Sequence, residues 1–373
     1  MKNIGIITWI GGGNYGTSLQ AFALYRFLSG KGYKCAIIND FRPNHFNIKS
    51  QVRYFLNILG IMGMRERIRI SRKADSRKYM KLRKFIKNSF KQESINSTRQ
   101  YRKLLEKTDV FCVGSDQVWN AYYNFNPFNF LDFAQGIKRI SYASSIGTND
   151  FPEQYKNIIK ELLLKFNHIS LREKTGRQAV EKLTGRNDIK TVLDPTFLLS
   201  LDQWEKVAEQ AIIEIELPRK FILCYLIGNN SNYIKQVKDL GKKIGINDIV
   251  IIPAVENPDF KVEGATRYRY ASVAEFVYLL EQASWVCTDS FHATAMSINM
   301  CKDFSEFLRF NDIEKGSQNS RIYNILDTFG LRDRLYDSST CKWAQPVNFT
   351  QSRAILKHLR EESIGWLINA IEY

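Results

Sequence analysis

The sequence predicts an α/β protein of two doubly wound, mostly parallel sheets facing each other across a cleft. Three observations carry that prediction. Short apolar runs with β character alternate with segments of helical periodicity along nearly the whole chain. At 373 residues the chain exceeds one ordinary core and fits two domains. The alternation also comes in two sets, one opened by a glycine-rich loop near the N-terminus and one beginning near Lys220.

In the first set, Asn3 to Trp9 is a strand, Ile10 to Thr17 (IGGGNYGT) a loop, and Ser18 to Leu28 a helix by its apolar spacing. Strand, glycine-rich loop and helix open a phosphate-binding α/β unit, because glycine lets the backbone approach a ligand closely. The spacing is not GxGxxG and no Walker lysine follows, so neither a dinucleotide nor an NTP is specifically indicated. Tyr33 to Asn39, Val110 to Gly114, Lys138 to Ser144, His168 to Arg172 and Thr191 to Pro195 read as further strands. Glu173 to Leu183 reads as a helix. Ser115 and Asp116 directly follow a strand and so lie on the sheet edge where ligands bind.

In the second set, strands are expected at Phe221 to Ile227, Asp248 to Pro253, Trp285 to Cys287 and Asp303 to Phe307. Helices are expected at Asn230 to Ile244, Ser272 to Ala283, Ala293 to Met300 and Asn319 to Phe329, the last stopped by Gly330. The expected divisions are a Rossmann-like domain over 1–200 with a basic helical insertion near 50–107, a second over 201–345, and a helix over 346–373 packing back on the first.

The stretch WVCTDSFHATAMSINM, Trp285 to Met300, is the expected functional centre. An apolar strand ends in Thr288, Asp289 and Ser290, then opens a helix. That arrangement aims unpaired N–H groups and the positive end of a helix dipole at one spot, which suits an anion. His292 sits beside it, and the chain has only three other histidines, His45, His168 and His358. A scarce imidazole there is a candidate acid or base; the bland alternative is a capping or carbonyl-satisfying ring.

Composition narrows the class. Apolar content of 44% with 25% charged residues is globular. The six cysteines are dispersed without CxxC or Cys/His spacing, which reads as reduced thiols and no metal site. The N-terminus lacks a basic leader and cleavage site, and no run approaches the roughly 18 apolar residues of a membrane span, so a cytoplasmic location is expected. The net charge of +16 is uneven, since residues 1–107 hold 23 Lys/Arg against 5 Asp/Glu. Between Arg65 and Lys107 the cations interleave with Ile68, Tyr79, Leu82, Phe85, Ile86 and Phe90 at helical spacing. A solvated face and contact with an anionic membrane are the two readings, the latter adding on the order of 1 kcal/mol per cation. No nucleic-acid-binding motif accompanies the charge, so nucleic acid is not an expected partner.

Seven collinear motifs carry a family resemblance: NYGTSLQAFAL (Asn14–Leu24), VGSDQVWN (Val113–Asn120), SYASSIG (Ser141–Gly147), SLREKTG (Ser170–Gly176), VLDPTFLL (Val192–Leu199), TDSFHATAMSI (Thr288–Ile298) and NSRIYNILDTFGLRDRL (Asn319–Leu335). Together they resemble the polysaccharide pyruvyl transferase family. The resemblance implies a GT-B-like pair of domains. It also implies transfer of a pyruvyl group from phosphoenolpyruvate to two hydroxyls of a sugar, giving a cyclic ketal. The acceptor would belong to a surface-polysaccharide precursor on a lipid carrier, and no cofactor is expected. Within that reading His292 is the acid and base, with Asp289 beside it. Arg172, Ser290, Arg321 and Thr288 bind the donor. Asn14, Tyr15, Gln20, Ser115 and Asp116 contact the acceptor or shape loops; Asp194, before Pro195, reads as a loop-fixing cap. The sequence departs where some relatives carry an arginine two residues before the histidine and a glycine after it; here Ser290 and Ala293 stand. The donor phosphate must then lean on the helix start and other arginines. A glycosyltransferase using a nucleotide sugar and a non-catalytic glycan- or anion-binding protein stay open as alternatives.

Overall fold

The computed structural model describes residues 1–40, 76–95, 97–311 and 317–373. Two sheets organise them, and every strand pairing in both is parallel. The N-lobe sheet contains β1 (Asn3–Ile7), β2 (Lys34–Asp40), β3 (Gln92–Ile95), β4 (Val110–Val113), β5 (Lys138–Ser144), β6 (His168–Leu171) and β7 (Lys190–Thr191), in the order β3-β2-β1-β4-β5-β6-β7. The C-lobe sheet contains β8 (Ile222–Tyr225), β9 (Ile249–Ile251), β10 (Thr266–Arg267), β11 (Trp285–Thr288) and β12 (Phe304–Glu306), in the order β10-β9-β8-β11-β12. Both orders reverse beside their first strand, which makes each lobe Rossmann-like and the pair GT-B-like. In such sheets ligands bind outside the carboxyl ends of the strands at the reversal, here β1/β4 and β8/β11.

The helices follow in chain order: α1 (Tyr15–Gly30), α2 (Ser76–Ser89), α3 (Thr98–Lys107), α4 (Ala121–Asn124), α5 (Lys156–Leu163), α6 (Lys174–Thr184), α7 (Leu201–Ala208), α8 (Tyr233–Ile244), α9 (Val273–Gln282), α10 (Phe291–Asn299), α11 (Asn319–Thr328) and α12 (Phe349–Glu372). α1 begins three residues before the expected start, because Asn14 caps it by accepting a hydrogen bond from Gly16 N at 2.9 Å. Part of the expected loop is therefore helix. The run Thr191 to Pro195 keeps only a short strand, since Asp194 turns the chain into a 3-10 helix over Pro195–Leu198.

Alternation along β1 sorts Ile4 and Ile6 to one face and Ile7 to the other. The Ile4/Ile6 face continues through α1 into the C-lobe, where Tyr15 stacks on Phe276 at 4.7 Å and its hydroxyl donates to Ala271 O. One apolar core thus crosses between the lobes. α12 returns to the N-lobe: Lys2 Nζ donates to Ile371 O, and Ser363 Oγ accepts from Leu193 N at 3.0 Å.

Of the basic region near 50–107, residues 50–75 and 96 lie outside the described residues. α2 uses one side as a brace to the C-lobe. Arg77 pairs with Glu214 and Lys81 with Glu275, both at 2.7 Å, while Lys78 Nζ donates to Pro253 O. Arg83, Lys84 and Lys87 are exposed. Among the described residues no helix is long and apolar enough to cross a membrane.

Candidate functional site

The carboxyl ends of both sheets meet around α10, all nine residues of which are buried. The helix starts immediately after β11 and Ser290 occupies its N-cap without a side-chain capping bond. Its first-turn N–H groups are consequently not closed off by that side chain.

The His292 ring lies between the lobes. On one side a Cβ added to Gly16 would sit 2.3 Å from its Nδ1, so only glycine lets the first turn of α1 come this close. On the other, Nε2 lies 3.6 Å from Asp194 Oδ2, too long for a hydrogen bond but within ion-pair range. Asp194 is the hub. Oδ2 also accepts from Ser115 Oγ and Arg172 Nη1, both at 3.0 Å, and Oδ1 accepts from Thr196 N and Oγ1. Burial pushes this carboxyl up, but His292, the Arg172 guanidinium and the Thr196 N–H outweigh it. The net effect holds Asp194 well below the usual carboxylate range.

Arg172 leaves the end of β6 and is sandwiched. Its Nε donates to Glu173 Oε1 at 2.9 Å, and its guanidinium carbon stands 4.0 Å over the Phe291 ring. Burial lowers its proton affinity, and Glu173, Asp194 and Asp116 more than reverse that, leaving it raised.

Arg321, in the first turn of α11, is buried in a different setting. Its Nη2 donates to Gln318 Oε1 at 2.7 Å, its Nε has no partner, and among the described residues no carboxylate pairs with it. Burial and then the like charges of Arg172 and Arg309 push its pKa down. A guanidinium nevertheless stays charged at neutral pH. Glu173 and Asp116 act in the opposite sense and do not offset that lowering; a buried cation with no paired carboxylate is costly, and an anion would relieve it.

Arg172, Asp194, Phe291 and Arg321 border a cavity of about 520 Å³ between the lobes, backed by Leu359 and Trp366 of α12. Lys174, Arg177 and Lys190 add cations to its wall. Among the described residues no cluster of His, Cys, Asp or Glu could hold a metal ion.

The remaining expected residues are found close by, in supporting positions. Asp289 accepts from Ile227 N, Gly228 N and Tyr233 OH at 2.6–2.7 Å, all from its own lobe. It also holds Arg309, whose Nη2 donates to its backbone O at 3.1 Å and whose Nε lies 3.4 Å from Oδ2. The carboxylate facing His292 is thus Asp194, across the cleft. Arg309 brings a guanidinium beside Ser290, where the sequence lacks one. Thr288 Oγ1 donates to Tyr225 O and accepts from Ser290 N. Gln20 ties three segments together: its amide nitrogen donates to Thr8 Oγ1, Trp9 O and Thr17 O, and its oxygen accepts from Ser115 N. Asp116, in left-handed backbone at φ 64°, accepts from Thr17 Oγ1 at 2.8 Å. Asn14 caps α1, and Tyr15 is fully buried in the inter-lobe core. Asn14, Tyr15 and Gln20 therefore build the first α/β turn.

Comparison with known proteins now decides the family. The sequence profile described as polysaccharide pyruvyl transferase matches residues 14–304. The chain belongs to the polysaccharide pyruvyl transferase family. No curated protein matches it by sequence. Solved structures align over nearly all of it at low identity. The UDP-GlcNAc 2-epimerase of Neisseria meningitidis bound to UDP-GlcNAc is 14% identical, with 97% of this chain and 100% of that one covered and a TM-score of 0.49. The UDP-GlcNAc 2-epimerase of Methanocaldococcus jannaschii is 11% identical over 96% and 99%, at 0.48. Acinetobacter baumannii MurG is 10% identical over 100% and 99%, at 0.46. In this pyruvyl transferase family member, His292, Arg172, Asp194 and Arg321 all lie between residue 14 and the first turn of α11, and only Arg321 falls beyond the matched span.

Proposed function

We propose that the chain transfers a pyruvyl group from phosphoenolpyruvate to two hydroxyls of a sugar, forming a cyclic ketal and releasing phosphate. One observation carries the reading. Among the described residues no carboxylate pairs with the buried Arg321 guanidinium, which borders one cavity with Arg172 and Asp194, and His292 reaches that Asp194 from the other lobe at 3.6 Å. That is a site lacking an anion next to an acid–base group.

The chemistry assigns each part. His292 delivers a proton to C3 of the enol, and C2 becomes oxocarbenium-like. The first sugar oxygen bonds to C2 and loses its proton to the vacated base. The second oxygen then displaces phosphate from C2, and its proton leaves with the phosphate. Asp194 stabilises the imidazolium and holds the ring. Arg172, Arg321, Arg309 and the α10 start bind the carboxylate and phosphate, guanidinium forks suiting both groups. The acceptor is a glycan precursor, reached from the cytoplasmic face of a membrane that the exposed basic side of α2 touches.

The test follows phosphate release from phosphoenolpyruvate with a cell-derived glycan acceptor fraction, alongside any consumption of UDP-sugars. Acceptor-dependent phosphate release and a product gaining a ketal-linked pyruvate support the reading. Consumption of a nucleotide sugar with phosphoenolpyruvate untouched would overturn it in favour of glycosyl transfer.

A further inference from the structure

Gln318 occupies the N-cap of α11 yet makes no side-chain capping bond. Ser, Thr, Asp and Asn are the residues that stabilise such a position, so helix stability does not account for it. Its amide is engaged elsewhere. Oε1 accepts from Arg321 Nη2 at 2.7 Å and from Gln117 Nε2 at 3.1 Å. Gln117 Oε1 in turn accepts from Asn120 Nδ2 at 2.7 Å. The chain of three amides therefore starts in the N-lobe loop after β4 and ends on a C-lobe arginine.

Chemistry orients the whole chain. A guanidinium only donates, so Gln318 must turn its oxygen to Arg321; Gln117 must then offer its NH₂ and keep its own oxygen for Asn120. The fold leaves room for this. Gly147, at φ 71°, has no Cβ, and one placed there would fall 2.1 Å from Gln117 Oε1 and 2.6 Å from Asn120 Nδ2.

We propose that Gln318 is a positioning residue for the anion-binding Arg321, and that Gln117 ties that positioning to the approach of the two lobes. The amide is the informative choice. A carboxylate at the same place would hold the guanidinium more tightly but would neutralise it, taking the charge that the anion needs. Gln318 aims the cation and leaves it charged. Contact with Gln117 exists only when the lobes are together, so closure and the orientation of Arg321 are one event.

This inference rests on the anion-site reading above, and the test separates the two. Binding of phosphoenolpyruvate and, independently, of inorganic phosphate is measured by calorimetry on the full chain. Gln318→Glu, nearly isosteric, is expected to weaken both anions about tenfold or more while leaving the melting temperature equal or higher. Gln318→Met removes the acceptor without adding charge and is expected to lose about threefold to tenfold, with Gln117→Leu near the lower figure. In turnover, Gln117→Leu should raise KM for phosphoenolpyruvate more than it lowers kcat. Wild-type affinity for both anions in Gln318→Glu overturns the proposal. Wild-type protein that binds phosphate but not phosphoenolpyruvate overturns the donor assignment, and the phosphate arm of Gln318→Glu still decides this one.

Discussion

Arg172 and Arg321 border the same cavity from opposite lobes, yet their charges are settled in opposite ways. Arg172 lies against two carboxylates, Glu173 and Asp194, and an aromatic face. Arg321 meets one amide oxygen and no carboxylate among the described residues. On the N-lobe wall the buried guanidinium is therefore paired with carboxylates, and on the C-lobe wall it is not. Asymmetry of this kind separates holding the catalytic geometry from recognising the donor. It also makes substitutions on the two walls fail differently.

The largest effect is expected where the walls meet. His292→Ala removes the proton carrier and Asp194→Asn the charge beside it. Positioned proton transfer contributes ~10²–10⁴-fold, so steady-state kcat for phosphate release should fall by about that factor in His292→Ala and less in Asp194→Asn. Phosphoenolpyruvate affinity should change far less in both. A His292→Ala enzyme turning over at the wild-type rate would remove the acid–base role.

Next come the two arginines themselves. Arg172→Met strands Glu173 and Asp194 without their cation. Breaking a buried pair in this way costs about 3–5 kcal/mol, read as a lower urea midpoint. Arg321→Met strands no charge, and Gln318 Oε1 keeps Gln117 as a donor, so its urea midpoint should hold or rise while phosphoenolpyruvate affinity collapses. Equal destabilisation by both substitutions would erase the distinction between the walls.

The contrast between walls was only partly legible in the sequence. Alternation and the β11 motif led to both sheets and to His292, because local periodicity and turn chemistry are written in neighbouring residues. Asp194 was legible as a cap, and Oδ1 does cap; its second oxygen reaches His292, Ser115 and Arg172 from three other segments, which no local spacing records. Asp289 beside the histidine in sequence looked like its partner, but the strand end turns that carboxylate into its own lobe. Tyr15 and Gln20 read as acceptor contacts or loop-shaping residues, and only long-range packing shows Tyr15 in the inter-lobe core and Gln20 tying the loop. Gln117, Gln318 and Arg309 have no periodic or compositional signal. Only the packing of one lobe against the other brings the two glutamines together.

Acidification probes the Asp194 hub with a smaller effect. Its folded pKa lies below the unfolded value, near 3.9 for an ordinary Asp. The stabilisation is therefore fully present above about pH 4 to 5 and is lost as pH falls toward the lower folded value. Urea midpoints from pH 7 to pH 3 should drop more steeply for wild type than for Asp194→Asn, the gap between the two curves narrowing toward the acid end. Parallel curves would show that the carboxylate is not held by His292 and Arg172.

The smallest effects should come from α2, whose two sides repeat the comparison at the surface. Lys81 is neutralised by Glu275, a buried carboxylate that also accepts from Ser272 N, whereas Lys84 and Lys87 face outward. Lys81→Met leaves Glu275 short of a partner and should cost about 1–3 kcal/mol of stability, with no change in lipid binding. Lys84→Gln and Lys87→Gln should leave stability within about 0.5 kcal/mol of wild type. Each should weaken binding to vesicles containing anionic phospholipid by on the order of 1 kcal/mol, an effect that fades in high salt. If sedimentation with vesicles is unchanged in the double substitution, the outward cations are a solvated face and the helix serves only as the brace between lobes.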